Sequence, residues 1–345
     1  MTKKLHIEAL RIIAIFLVIF NHTGTFGFQA YLKTNSGILY IIYLFMAIIC
    51  KIAVPIFFMI SGALLLGKEE SISDLYKKRI SRILIVLLLF SFLQYIYSIR
   101  INIGNFNIIE FLKIIYKSPI VTPYWYLYSY ISFLVVLPLL RKMVKNMDKT
   151  DYKYLFGIWI LFTFITSIIE KQVGLSINAR LTCTFLKDSI FFPIVGYYCE
   201  NYFEDYKRKN VLIVVFLFSI LCVIISAYFT WSEISMTGDF KTQKWLGAFI
   251  AVPTIFTYLF VKLIFDKITV NEKTSNLLCT IGGCTFGIYL IEEFLRRLFL
   301  YKFIYLLKPF IKTMPACLVT VTLIIIIGSI IILTLKKIPL LKKIL

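Results

Sequence analysis

The sequence predicts an all-α membrane protein, a polytopic bundle of about ten transmembrane helices. Of its 345 residues, 60% are hydrophobic and only 16% are charged, whereas an ordinary soluble domain has about 25% charged residues. The mean hydropathy is +0.86. No stretch has the composition of a separate soluble domain or of a low-complexity linker, so we expect one membrane domain over residues 1–345.

The spans follow from the apolar runs that are long enough to cross about 30 Å of hydrocarbon. They lie roughly at 5–26, 38–66, 82–99, 123–140, 154–169, 181–203, 210–230, 245–265, 277–300 and 315–335. The first run has an arginine inside it and no small-residue cleavage site. We therefore expect it to stay in the protein as a helix rather than to be removed as a signal peptide.

Ten spans put both termini on one side of the membrane, and the basic residues indicate which side. The short clusters KKRISR, RKMVK, YKRK and KKIPLLKK all fall on the side of the termini. The positive-inside rule therefore predicts cytoplasmic termini in a multi-pass protein of the cytoplasmic membrane. The net charge of +20 is then explained by topology and by attraction to anionic membrane lipids, and we expect no nucleic-acid partner.

The cysteines and histidines argue against a metal site. The seven cysteines include no Cys-x-x-Cys pair and mostly lie inside predicted helices, where they are expected to act as small apolar side chains. His6 and His22 are the only histidines, and no metal-binding motif is found. We therefore expect no protein-ligated catalytic metal.

Two ionisable residues lie in the first apolar run, RIIAIFLVIFNH. Arg11 and His22 are almost three helical turns apart, so they share one helix face at a separation of roughly 16 Å along the axis. Arg11 could simply reach the inner interface and pair with Glu8, and His22 could simply bond to a neighbouring helix. Ionisable residues in membrane spans are usually functional, however, and imidazole suits proton transfer near neutral pH. Both residues are therefore candidate catalytic residues.

A pair of arginines stands at the cytoplasmic mouth of the third predicted span, in SISDLYKKRISRIL. Arg79 and Arg82 are i and i+3 neighbours, so one helical face can present two guanidinium groups to phosphate. The alternative is a topological anchor, which is the interpretation we favour for Lys77 and Lys78. The arginine pair is a candidate site for a phosphorylated co-substrate.

The second and fourth predicted spans carry weaker signals. In VPIFFMISGALLL, Pro55 and Gly62 predict a kink or a close approach of helices, and Ser61 is available to bond the backbone or a ligand. Packing alone would also explain this motif. The aromatic run TPYWYLYSY is typical of an interfacial belt.

The ninth predicted span contains two adjacent carboxylates, in TFGIYLIEEFLRR. Glu292 and Glu293 each precede an arginine by four residues, so pairing with Arg296 and Arg297 is the simplest interpretation. A sharper hypothesis places Glu292 beside His22, at similar membrane depth, with Glu292 rather than Glu293 facing the bundle interior.

Taken together, five segments resemble the integral-membrane acyltransferase family 3, which includes bacterial O-acetyltransferases of surface glycans. They are IEALRIIAIFLVIFNH, VPIFFMISGALLL, YKKRISRIL, YWYLYSYISFLVVLPLL and TFGIYLIEEF, and the resemblance runs from residue 5 to about 335. It implies an acyl-CoA co-substrate, usually acetyl-CoA, no tightly bound cofactor, and a hydroxyl of a glycan or glycolipid as acceptor.

The resemblance also implies roles for particular residues. His22 would be the catalytic histidine, as general base or as acyl relay, and Arg11 its partner on the same helix. Arg79 and Arg82 would help to hold the CoA end. Ser61, from its place in the second span and not from the resemblance, is a further candidate contact for the co-substrate. Many relatives have a histidine soon after the Gly-Ile-Tyr of the late helix, where this chain has Ile291 followed by two glutamates, and this departure puts the acceptor or the partner of His22 in doubt.

Two other classes of function stay open at this stage. A glycan or lipid exporter or flippase would also use a bundle with buried polar groups, and a purely structural membrane protein would need no catalytic residues. The sequence does not identify the acceptor or the acyl group. It also leaves open whether the chain completes the reaction alone or with a glycan-synthesis protein as partner.

Overall fold

The computed structural model describes residues 4–34, 37–100, 106–176, 178, 181, 183–204, 207–238 and 243–345, and all regular structure within them is helical. The helices are α1 Leu5–Asn21, α2 Gly37–Leu65, α3 Ile72–Ile99, α4 Ile108–Lys117, α5 Thr122–Asn146, α6 Lys149–Val173, α7 Asp188–Asn201, α8 Lys209–Thr237, α9 Trp245–Lys267, α10 Glu272–Gly282, α11 Thr285–Leu307, α12 Thr313–Leu335 and α13 Pro339–Ile344. The prediction of an all-α fold is confirmed.

The described helices establish a multi-pass membrane protein. Seven of them are long and apolar enough to cross a membrane, and the pair α10 and α11, bent by 56°, adds an eighth if it forms one span. The other two predicted spans coincide with α1, of 17 residues, and α7, of 14 residues. Both fall short of a full apolar span of about 20 residues. The count of ten and the cytoplasmic location of the termini stay predictions.

The third helix begins well before the predicted start at 82. Ser71 caps it by accepting a hydrogen bond from the backbone N–H of Asp74, and a π-helical stretch covers Leu75–Ile80 before regular α-helix resumes. The charged residues of this stretch conceal the helix in a search for apolar runs. As a result, the basic cluster KKRISR lies within a helix instead of in a loop.

Helix α1 is central to the bundle and contacts α2, α9, α10, α11 and α12. Its residues Leu10, Ala14, Ile15 and Ile19 are fully buried. These buried side chains pack against other helices. Of the ionisable residues of this helix, Glu8 is buried and Arg11 is partly exposed.

Helices α2 and α7 approach each other through their backbones. A Cβ atom at Gly62 would overlap the backbone of Pro193, and one at Gly196 would overlap the backbone of Met59. Glycine is needed at both positions because only a residue without a side chain permits so close an approach. The close approach predicted at Gly62 is confirmed, and it fixes one wall of the cavity described below.

Candidate functional site

One cavity of about 730 Å³ brings together most of the residues singled out in the sequence. Its wall includes Arg11, His22, Ser61, Arg79 and Arg82. The volume is within the range of about 300–1,000 Å³ that is typical of ligand sites. Residues that are scattered over 70 positions of sequence therefore face one space between helices.

His22 follows the last residue of α1 and contacts a buried carboxylate. Its Nδ1 lies 2.9 Å from Oε1 and 3.1 Å from Oε2 of Glu292. The side chain of Glu292 is 0% exposed, while that of His22 is 20% exposed. Because a carboxylate only accepts hydrogen bonds, Nδ1 is assigned the hydrogen. Nε2, which makes no hydrogen bond to any described residue, is then the nitrogen that can accept a proton.

The helix that carries Glu292 is fixed by two tyrosines in a reciprocal arrangement. Tyr124 donates its hydroxyl hydrogen to the carbonyl oxygen of Leu290, at 2.7 Å, and Tyr289 donates to the carbonyl oxygen of Pro123, also at 2.7 Å. All four groups are buried or nearly so. The start of α5 and the middle of α11 are thus joined directly beside the carboxylate that contacts His22.

Glu293 has different partners from Glu292, although both side chains are buried. Its carboxylate pairs with Arg296 and, at 2.6 Å, with Nε of Arg297. Arg296 lies farther from Glu292, with 3.9 Å between Nε and Oε1. Both i to i+4 pairs are therefore present, a close one between Glu293 and Arg297 and a longer one between Glu292 and Arg296, and Glu292 lies nearer to His22 than to Arg296. We predicted that Glu292 rather than Glu293 faces the bundle interior, but both side chains are buried. Arg296 and Arg297 supply the positive charge that accompanies the buried carboxylate of Glu293.

Arg11 both pairs with Glu8 and lines the cavity. Its Nη1 donates to both oxygens of Glu8, at 3.0 and 3.2 Å, and the same side chain contributes to the cavity wall. Glu8 in turn lies against Gly282, at the break between α10 and α11. The ion pair neutralises Arg11 in part and holds it at the cavity wall.

Ser61 uses its hydroxyl hydrogen locally. Its Oγ donates to the carbonyl oxygen of Phe57 at 2.8 Å, one turn earlier in α2. The hydroxyl oxygen remains able to accept a hydrogen bond from the cavity side.

Arg79 and Arg82 of α3 each donate hydrogen bonds to the protein through their own Nε atom. Nε of Arg79 donates to Glu70, at 2.9 and 3.1 Å, and Nε of Arg82 donates to the carbonyl oxygen of Ile344 at 3.1 Å. In the hydrogen bonds described, neither uses its terminal nitrogens. Both guanidinium groups are therefore positioned without losing the two nitrogens best suited to bind an anion.

Glu70 links this end of the cavity to α5. Nη2 of Arg141 donates to Glu70 at 3.1 Å, and Nε of Arg141 donates to the carbonyl oxygen of Leu65 at 3.0 Å. Burial alone would raise the pKa of Glu70, but the hydrogen bonds and charges of Arg79 and Arg141 outweigh it, and the pKa lies below its ordinary value. Glu70 is therefore ionised at neutral pH and holds the side chains of Arg79 and Arg141 in place.

Several cavity residues were not identified as candidates from the sequence. Tyr126 and Tyr130 line the cavity and stack on each other, with ring centroids 5.8 Å apart, so part of the aromatic run is internal instead of an interfacial belt. Lys51 and Lys68 add two cations to the three arginines of the wall. The four-residue spacing of the tyrosines was the only available signal, since it places both on one helix face.

Comparison with known proteins identifies the family. The family model described as an acyltransferase domain, that of acyltransferase family 3, matches residues 5–333. Searches of curated proteins and of solved structures each found no match. The match covers almost the whole chain and includes every residue of the cavity named above.

Proposed function

Because the chain belongs to acyltransferase family 3, we propose that this membrane acyltransferase moves an acyl group from acyl-CoA to a hydroxyl of a surface polysaccharide or glycolipid. The proposed group is acetyl. The observation that carries the proposal is the pair of His22 and Glu292, with Nδ1 and Oε1 2.9 Å apart, on a cavity that also contains Arg79 and Arg82. One cavity therefore contains both a candidate base, His22, and a pair of cations, Arg79 and Arg82.

In the proposed reaction, Nε2 of His22 takes the proton of the acceptor hydroxyl as its oxygen attacks the carbonyl carbon of the thioester. The carboxylate of Glu292 holds the imidazole in the required tautomer and stabilises the imidazolium that forms. The C–S bond then breaks, and the imidazolium returns its proton to the departing CoA sulfur. A covalent acyl-histidine relay would use the same residues and would suit donor and acceptor on opposite sides of the membrane.

The donor would lie along the cavity from its arginine end. Phosphate groups of CoA match the terminal nitrogens of Arg79 and Arg82, since guanidinium binds phosphate in a bidentate manner. The narrow pantetheine arm carries amide N–H groups, one of which can donate to Oγ of Ser61. Arg11, which also lines the cavity, adds a further positive charge.

Stabilisation by acetyl-CoA is the test that separates this proposal from an exporter or flippase, which does not need CoA. Acetyl-CoA at about 100 times its Kd should stabilise the purified protein in nanodiscs by about 2.7 kcal/mol. The double variant Arg79→Gln with Arg82→Gln should lose this stabilisation, and Lys77→Gln, whose side chain is exposed, should keep it. Wild-type protein that is indifferent to acetyl-CoA would reject the acyltransferase proposal.

The acceptor is tested in cells. Mass spectrometry of surface glycans from a deletion strain should show the loss of one acyl increment, which identifies the acyl group and its carrier together. The complementing gene with His22→Ala should fail to restore it at normal protein levels. Restoration by that variant would contradict the proposed role of the histidine.

A further inference from the structure

Four charged side chains of α11 form a cluster beside His22. Glu292 and Glu293 are buried, and Arg296 and Arg297 follow one turn later, where a π-helical stretch covers Arg296–Leu300. Such stretches occur often at functional sites. We call the four residues the α11 charge cluster. Its two carboxylates and two guanidinium groups sum to zero, so the cluster and His22 together are neutral only while His22 itself is neutral.

Arg296 is the member of the α11 charge cluster that has unused bonding capacity next to the catalytic pair. Its Nε atom is buried and makes no hydrogen bond to any described residue, and it lies 3.9 Å from Oε1 of Glu292. The same oxygen lies 2.9 Å from Nδ1 of His22. At 3.9 Å the contact is an electrostatic attraction and not a hydrogen bond. Glu292 therefore stands between a histidine that can lose its charge and an arginine that cannot.

The base in its reactive form needs a positive charge near Glu292. When Nε2 of His22 is free to accept a proton, the imidazole is neutral and does not balance the buried carboxylate. A buried charge without a partner is unfavourable, and proton uptake relieves it. The imidazole is the more basic of the two groups, so it would take that proton and cease to be a base. The permanent charge of Arg296 opposes this.

Other charged or titratable groups near His22 do not take the place of Arg296. On the wall of the same cavity they are Arg11, Cys50, Lys51, Tyr126, Asp188 and Tyr289. Behind the wall, Tyr124 of α5 bonds to Leu290, and Cys317 of α12 lies against Gly27. In the part of the chain that the structure describes, Arg296 is the only arginine or lysine within 4 Å of the carboxylate of Glu292.

We propose that Arg296 is a positioning residue for the catalytic base. Its charge keeps the carboxylate of Glu292 balanced while His22 is neutral, and so keeps Nε2 of His22 able to take a proton at neutral pH. Arg297 does not share this role, because it pairs with Glu293 and its side chain is 42% exposed, against 24% for Arg296. The inference rests on the proposed function for the task of the base, but the protonation of His22 is measurable without acyl transfer.

Histidine-specific NMR tests the proposal directly. His6 and His22 are the only histidines of the chain, so protein labelled with ¹⁵N-histidine in nanodiscs gives two sets of ring signals, and His22→Ala identifies the set from His22. In Arg296→Gln, the pH at which His22 takes up its proton should be about one unit higher than in the wild type, because the field of Glu292 is no longer offset. Arg296→Met is a second variant that removes the charge, and Arg296→Lys should restore most of the wild-type behaviour.

Arg297→Gln is the matched control, since it removes the same charge one position later and should change the titration of His22 much less. The acid limb of kcat/KM for CoA release should move upward in Arg296→Gln by the same amount as the NMR titration, with the acetyl-CoA stabilisation unchanged. A titration that is unchanged or lowered in the folded charge-removing variants, or an equal shift in Arg297→Gln, would overturn the inference. Failure of the proposed function would show differently, as a wild-type protein that acetyl-CoA does not stabilise.

Discussion

Replacing Glu292 by glutamine changes one atom of the pair with His22 and should strongly reduce turnover. The carboxylate is 0% exposed and contacts Nδ1 through both oxygens, at 2.9 and 3.1 Å. A hydrogen bond to a charged group contributes about 1.5–3 kcal/mol. If this contribution is made when the imidazolium forms, its loss lowers kcat by about 10- to 150-fold. The amide can also donate to Nδ1, which would favour the wrong tautomer.

The assay is release of CoA from acetyl-CoA by purified protein in nanodiscs, with acetyl-CoA stabilisation measured in parallel. Glu292→Gln should keep the stabilisation, because the donor contacts lie elsewhere in the cavity. Glu293→Gln is the matched control, since its carboxylate pairs with Arg296 and Arg297 and not with His22. Equal turnover in Glu292→Gln and the wild type would refute the role of the carboxylate, and a larger loss in Glu293→Gln would assign that role to the arginine cluster.

Three further predictions concern the walls of the cavity. Gly62→Ala should lower the free energy of unfolding by about 1–3 kcal/mol through overpacking. Gly157→Ala should not, because a Cβ atom there meets nothing within 4 Å. Thermal unfolding of the two variants in nanodiscs measures the difference. Glu70 has a lowered pKa, so its contribution to stability is complete above its ordinary pKa and disappears as the pH falls through the lower folded value. The melting-temperature difference between wild type and Glu70→Gln should therefore be largest at neutral pH and vanish in acid, and a difference that grows in acid would contradict the assignment. Arg79→Gln and Arg82→Gln should each raise the KM for acetyl-CoA more than they lower kcat, and an unchanged KM would remove the arginines from the donor site.

The pairing of His22 with Glu292 shows how far sequence reasoning reaches in this fold. Helical spacing placed Arg11 and His22 on one face of α1, and depth in the membrane suggested a carboxylate 270 positions later. Both inferences needed only the regular geometry of helices. The contact itself depends on how α11 packs, and that is set by the tyrosine hydrogen bonds around Leu290, which no local pattern encodes.

The arginine end of the cavity was predicted less completely. The spacing of Arg79 and Arg82 indicated a shared face, but it did not indicate the π-helical stretch that contains Arg79 or its partner Glu70, and the partner of Arg82, Ile344, lies 262 positions later in the chain. Lys51 was visible in the sequence only as a charge inside an apolar run. Its place on the wall of the cavity follows only once the helices are assembled.

The short helices explain why the number of spans is harder to predict than their positions. Hydropathy identifies an apolar run, yet α7 has only 14 residues and is packed against α2 through Gly196, so its apolar character serves protein contacts as well as lipid. Conversely, α3 begins ten residues before its predicted start at 82. Its first turns are formed by a polar cap and charged residues, which a search for apolar runs does not detect.

The central claim is that His22 performs acyl transfer from acyl-CoA, and one measurement addresses it directly. Purified wild-type protein and the His22→Ala variant are supplied with acetyl-CoA carrying a radiolabelled acetyl group, in nanodiscs that contain extracted lipid-linked and glycan material from the native membrane. The wild type should move label into that material, while the variant should bind acetyl-CoA with the same stabilisation and transfer none. Label transfer by His22→Ala at the wild-type rate would contradict the account.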